Sequence, residues 1–355
     1  MSRSARLAER IAERELDAIV VTNLPNVRYL TGFTGSNGVC VVGPEQRDFI
    51  TDFRYVEQAK REVQGFDRVQ GQQDLVGELA ERLGGRVGFE DQHMTVRTHA
   101  RLGEIVGEGV ELVPAGGIVE ELRAVKSADE IARIRQAAVL ADQILEYVRE
   151  RGLVGRTERA VAIDLEREMR ERGAEEPSFP SIVAAGPNGA LPHASPGEAE
   201  IVPGQLVVVD LGCRLDGYCS DCTRTFSTGG VGDEAIEVYE LVERAQLEAL
   251  AAIRAGAGCR EVDGVARSII ESAGHGERFG HGLGHGVGLE VHEGPRLSRL
   301  APEDARLEAG NVVTVEPGVY LPGEFGVRIE DLVTVTDGGC EILSGFPKSL
   351  VTVEG

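Results

Sequence analysis

The spacing of apolar positions divides the chain into alternating helices and strands. Leu7, Ile11 and Leu16 recur at helical intervals and predict a helix over 5–15. Short apolar runs at 18–21, 39–42 and 49–51 predict strands. Between them lie a turn through Asn23–Pro25 and a loop of sequence TGFTGSNG. Helical residues resume from Arg54, and helix and strand alternate to about Val113, which suits a compact α/β domain.

A boundary is expected near 122–127, giving domains 1–122 and 123–355. Ser127 and Glu130 have the spacing of a capping box, and Ile131, Ile134, Ala138 and Ala141 mark one face of the helix it starts. A second helix begins near Thr157. A glycine- and proline-rich stretch follows, with His193 at its end, and then strands at 206–211 and 218–226. The order then repeats, with helices over 233–254 and 261–273, a glycine–histidine segment, and strands at 311–316 and 327–335. Each half reads helix, helix, histidine-bearing loop, strand, strand. Two pseudo-symmetric halves bringing their strands around one site are therefore expected.

The chain has 355 residues and a formal net charge of -22, which disfavours nucleic acid and anionic membrane as partners. No stretch approaches the length of a membrane span, and the N-terminal residues lack the apolar core and cleavage site of a signal peptide. Six scattered cysteines include one CxxC, Cys219 and Cys222, without the second pair a zinc site needs. They read as free thiols in a reducing compartment, so a cytoplasmic location is expected.

The chemistry concentrates in FGHGLGHGVGLEVHEGP, residues 279–295, which gathers His281, His285 and His292 among glycines and follows the last with Glu293. The glycines here run GxGxGxG without an evident preceding strand, a weak match to a dinucleotide fingerprint. Four acids are set into otherwise apolar strands: Asp210 in VVVDLG, Asp221 in YCSDCTRTF, Glu316 in VVTVEPGVY and Glu330 in GVRIEDLVTV. A buried carboxylate needs a partner or a metal. Arg224 and Arg328 could pair with one acid, but four acids and a histidine cluster point to metal. Hard oxygen ligands with one or two imidazoles favour Mn, with Co, Zn or Fe as alternatives. Two cations sharing carboxylates would ionise water and polarise a carbonyl, which points to hydrolysis of an amide-like bond.

These blocks resemble the aminopeptidase P and proline dipeptidase group of metallopeptidases. HGLGHGVGLEVHE looks like its signature, and VVVDLG, SDCTRTF, VEPGVY and VRIED look like its other blocks, all in order. GFTGSNG and ITDFRYVEQA are similar to its creatinase-like N-terminal domain. The resemblance implies an α/β (α+β) fold, a creatinase-like domain followed by a pita-bread domain of two pseudo-symmetric halves. It implies two divalent metal ions, Mn first and Co or Zn next, held by Asp210, Asp221, His285, Glu316 and Glu330. Asp221 and Glu330 would bridge, Asp210 would bind one ion, and His285 with Glu316 the other. A metal-bridging hydroxide would attack the scissile carbonyl, with Glu316 as proton shuttle. His292 and His193 would bind substrate and stabilise the tetrahedral intermediate. His281 and Arg296 would line the substrate site, and Tyr320 and Arg328 would orient the acids at its edge. Substrates would be proline-containing dipeptides or short peptides, and family members are commonly homodimers. Dipeptidase and aminopeptidase both stay open. The alternatives are a metal-free, creatinase-type hydrolase, a non-catalytic binding module on the same fold, and a methionine aminopeptidase.

Overall fold

The computed structural model describes residues 2–353, and the chain falls into two units, Met1–Arg123 and Ala124–Gly355. The first holds a six-stranded mixed sheet in the order Asp67–Gly71, Arg47–Asp52, Gly38–Val42, Ala18–Val21, Gly85–Phe89, Val110–Pro114. Ala18–Val21 is central, parallel to one neighbour, antiparallel to the other, and buried at every position. Burial on both faces explains its unbroken apolar run. The helix Arg3–Glu13 seats Leu7 and Ile11 in the core.

The segment Asn23–Pro25 departs from the turn expected there, because it starts a helix, Leu24–Thr31, with Asn23 as N-cap. Proline suits a first helical turn, whose amide has no carbonyl to meet. Turns and helix starts both favour asparagine and proline, and burial of Val27, Tyr29 and Leu30 selects the helix.

The second unit repeats one plan twice. Its first half packs the helices Ala128–Arg151 and Glu158–Glu171 on a four-stranded sheet ordered Val351–Thr352, Cys222–Ser227, Leu206–Leu211, Ile182–Ala185. Ile144, Val148, Val161 and Leu165 meet Val207, Val209 and Phe226 in one core. The second half packs the helices Asp233–Ala252 and Cys259–Ser272 on a sheet ordered Glu293–Leu297, Gly284–Gly286, Val312–Val315, Asp331–Thr336, Gly339–Ile342. Val238, Val242, Ala266 and Ile270 meet Val313, Val315 and Val333 in a separate core. This is the expected pita-bread arrangement. The capping box of Ser127 and Glu130 is formed, with both reciprocal hydrogen bonds present.

Two strands expected to be continuous are each broken once. Tyr218–Cys219 and Cys222–Ser227 flank Ser220 and Asp221, and Phe325–Arg328 and Asp331–Thr336 flank Ile329 and Glu330. Side chains along an unbroken strand must alternate between faces. Each break releases an acid, Asp221 or Glu330, from that alternation. Glu316 follows the end of Val312–Val315 and precedes Pro317, which has no N–H for a ladder. Only Asp210 lies inside a strand. Among the described residues no helix is long and apolar enough to cross a membrane.

Candidate active site

Within the second unit these elements enclose a cavity of about 850 Å³. Asp210, Asp221, His285, Glu316 and Glu330 line it, as do His193, His281, His292, Arg296 and Arg328. Tyr320 is the one sequence-predicted site residue outside that lining. It stands behind the wall, its hydroxyl 2.9 Å from His281 Nε2 and 2.8 Å from Arg328 Nη1. Phe179, Ile182 and Leu300 supply apolar lining that the sequence reading missed.

The acids and His285 converge. Asp221, His285 and Glu330 each bring one ligand atom within 4.8 Å of the others. His285 Nε2 lies 3.6 Å from Asp221 Oδ2 and 3.4 Å from Glu316 Oε1. His285 Nδ1 faces the Gly286 carbonyl at 3.1 Å, which can only accept, so Nδ1 carries the proton and Nε2 presents a lone pair to the acids. Burial pushes the imidazole down to about 4, so it is neutral at pH 7.

Burial raises all three convergent carboxyls. Asp221 and Glu330 rise well above the usual carboxylate range, with repulsion between the acids adding to burial. Glu316 is pushed up to about 8 by burial, with Arg328 opposing and Asp210 adding. Asp210 Oδ2 accepts from Arg328 Nη2 at 2.6 Å, yet its Oδ1 is buried without a hydrogen-bond partner. An orphaned carboxylate oxygen, a free imidazole lone pair and crowded acids are a donor set that divalent cations fit.

Further side chains hold these groups. Thr223 Oγ1 donates to Glu330 Oε2 at 2.7 Å and Thr314 Oγ1 to Glu316 Oε1 at 3.2 Å. Arg224 donates to the Glu330 carbonyl and, at 2.8 Å, to Asp331 Oδ1, so the first half's 222–227 strand fixes the second half's acid. Arg328 Nη1 also reaches the carbonyl of Pro192, next to His193, at 3.2 Å. Asp263 and Arg267 on the 259–272 helix clamp the histidine segment, Asp263 accepting from Leu283 N and Arg267 donating to the carbonyls of Phe279 and His281. The sequence carries a signal for this pair, an acid on the buried helix face with an arginine four residues on.

His281 is fixed differently from His285. Its Nδ1–H faces the Gly282 carbonyl at 2.8 Å, so Tyr320 donates to Nε2 while Arg328 donates to Tyr320. Burial, and then Arg328, push this imidazole down to about 4. His281 therefore has no proton to give a substrate and contributes a rigid wall.

The glycines serve sheet packing, not phosphate binding. A Cβ on Gly284 would lie 2.0 Å from the Thr314 carbonyl oxygen. Gly284→Ala is expected to destabilise the protein by ~1–3 kcal/mol through overpacking, read as a lower Tm. An unchanged Tm would show that the strands can part.

Residues 132–337 match metallopeptidase family M24, and residues 3–125 match the creatinase/prolidase N-terminal domain. The chain belongs to metallopeptidase family M24. It is similar to the uncharacterized peptidase YqhT of Bacillus subtilis (strain 168), 41% identical over 98% of each chain. It is similar to the Xaa-Pro dipeptidase from Bacillus anthracis, with 40% identity, a TM-score of 0.95 and 99% of each chain covered. The X-Pro aminopeptidase from Thermotoga maritima MSB8 is 37% identical, with a TM-score of 0.90, covering 99% of this chain and 100% of that one. The protein is a metallopeptidase, and M24 membership implies divalent metal ions.

Proposed function

We propose that this M24 enzyme hydrolyses the bond before proline in Xaa-Pro dipeptides, using two divalent cations, with Mn first, held by Asp210, Asp221, His285, Glu316 and Glu330. The observation that carries this is the convergence of those five side chains, with an orphaned oxygen on Asp210, under one cavity. Asp221 and Glu330 would hold both ions, Asp210 one, and His285 with Glu316 the other. When bound, the cations supply an ionised water as nucleophile and a Lewis acid for the scissile carbonyl.

The protein's own groups do the rest. Glu316 would take up a proton on its carboxylate and pass it to the departing prolyl nitrogen. His292 and His193, both exposed on the cavity lining, bind substrate and donate to the developing oxyanion. His281, backed by Tyr320, forms a rigid wall for the prolyl ring. The six cysteines are free thiols, which supports action in the reducing cytoplasm. A homodimer is the assembly we propose, to be read from sedimentation.

Arg296 favours a dipeptidase over an aminopeptidase. It pairs directly opposite His285 across the 284–286 and 293–297 strands, so both side chains leave the sheet on one face. It lines the cavity, and its charge disfavours protonation of His285 and His292. A fixed cation there suits the free carboxylate of a product-side proline. The Mn-loaded enzyme should therefore cleave Xaa-Pro faster than Xaa-Pro-Yaa. Arg296→Met should raise KM for Xaa-Pro by about 10-fold or more, the loss of a charge-assisted hydrogen bond, and leave Xaa-Pro-amide unaffected. Activity on neither peptide would remove the Xaa-Pro assignment, and equal losses on acid and amide would remove the role of Arg296.

A further inference from the structure

Glu293 follows His292, yet neither metal nor substrate uses it. Its side chain is turned inward, only 6% exposed, and meets Lys126, which is 1% exposed, with Nζ 3.2 Å from Oε2. Oε1 accepts from the amide of Glu290 at 3.0 Å. The carboxylate thus ties both ends of the 290–293 turn that carries His292. Gly288 makes room for it, since a Cβ there would lie 2.6 Å from Oε2.

Lys126 is itself held in place. Its amide donates to the Gly310 carbonyl at 2.9 Å, Val125 bridges Asn311, and Asn311 Nδ2 donates to the Ala124 carbonyl at 3.0 Å. Gly310 and Asn311 lead into the 312–315 strand, which Glu316 follows. One short path of buried polar contacts therefore runs from the strand that leads to Glu316, through Lys126 and Glu293, to the turn bearing His292.

Exposed His292 needs such an anchor. Its ring centroid lies 4.3 Å from that of His285. Its place over the cavity follows from the backbone of a turn that the 284–286 strand cannot fix alone, because the pairing shifts between His285 and Gly286. Burying two charges is costly even when they meet. That cost is sustained where geometry must be held closely.

We propose that Lys126 and Glu293 are positioning residues for catalysis, a buried ion pair that holds the His292 turn in register with Glu316. The inference rests on the Xaa-Pro reading for its kinetic arm only. The test compares Glu293→Gln, Lys126→Met, the double variant and Lys126→Arg. The double variant removes both charges of this pair together and should fold where either single variant fails. Expected in folded variants are full metal content, kcat reduced at least tenfold and KM changed less than threefold on an Xaa-Pro dipeptide. Lys126→Arg should restore most of kcat. A second readout needs no substrate: in Zn-loaded protein with labelled histidine, the ring resonances of His292 should move or broaden and those of His193 should not. Near-wild-type kcat in a folded variant, or an unmoved His292 spectrum, would overturn the proposal. A wild type inactive on Xaa-Pro with a moved His292 spectrum would reject the substrate and keep the ion pair's role.

Discussion

Replacing His285 by alanine is expected to yield a protein without stably bound cation and without peptidase activity, whereas His292→Ala should retain its metal and lose turnover. The two rings are neighbours, 4.3 Å apart between centroids, and belong to one glycine-rich segment. Their surroundings differ. His285 is buried, its Nδ1–H committed to the Gly286 carbonyl and its Nε2 lone pair directed at Asp221 and Glu316. Acids crowded at 3.4 to 3.6 Å around an imidazole lone pair form a donor set that a cation fits. His292 is exposed on the cavity side, where a substrate passes. Losing a donor to the transition state costs about 100- to 1000-fold in kcat, and that loss is expected for His292→Ala. Metal per chain by elemental analysis, alongside kcat, decides the matter. Equal metal loss in both variants would refute the division of roles.

The second large effect is the pH dependence of stability, and its reversal by metal. Glu316 is held up to about 8, and Asp221 and Glu330 are raised as well. In the unfolded chain a glutamate ionises near about 4.3. Between those values the native state keeps protons that the unfolded state has lost. Stability of the metal-free protein is therefore full below the unfolded value and falls as pH rises through the window. The slope is about 1.4 kcal/mol per pH unit for each such group. Bound cations favour the ionised acids and remove the penalty. Melting curves at pH 5.5, 7 and 8.5 should show Tm falling steeply with pH in chelator. With Mn the dependence should flatten, the stabilisation by metal growing as pH rises. Parallel curves with and without metal would show that these carboxyls do not carry the effect.

The gross architecture was legible because it rests on local periodicity. Apolar spacing located Ala18–Val21 and Leu206–Leu211 as strands. Ser127 and Glu130 announced the helix that opens the second unit. The repeated order of helices and strands foretold two halves with separate cores. The segment Asn23–Pro25 reads as a turn because a turn and a helix N-terminus favour the same residues, and burial of Val27, Tyr29 and Leu30 chose between them. The breaks at Ser220–Asp221 and Ile329–Glu330 were not legible either, since β-rich residues continue through them.

The sequence by itself determined the inventory: four acids in apolar surroundings, a histidine among glycines, and enough periodic chain to bring two halves together. Residue type and spacing are local properties and can be read along the chain. The tertiary structure alone decided the roles. It made His285 an open lone pair and His281 a locked wall, through partners at Gly286, Tyr320 and Arg328. It left Asp210 with one satisfied oxygen and one orphan, and turned Glu293 inward to Lys126. These distinctions depend on which proton, charge or carbonyl a group meets in the fold, as far as 167 residues away along the chain, and no periodicity encodes such contacts.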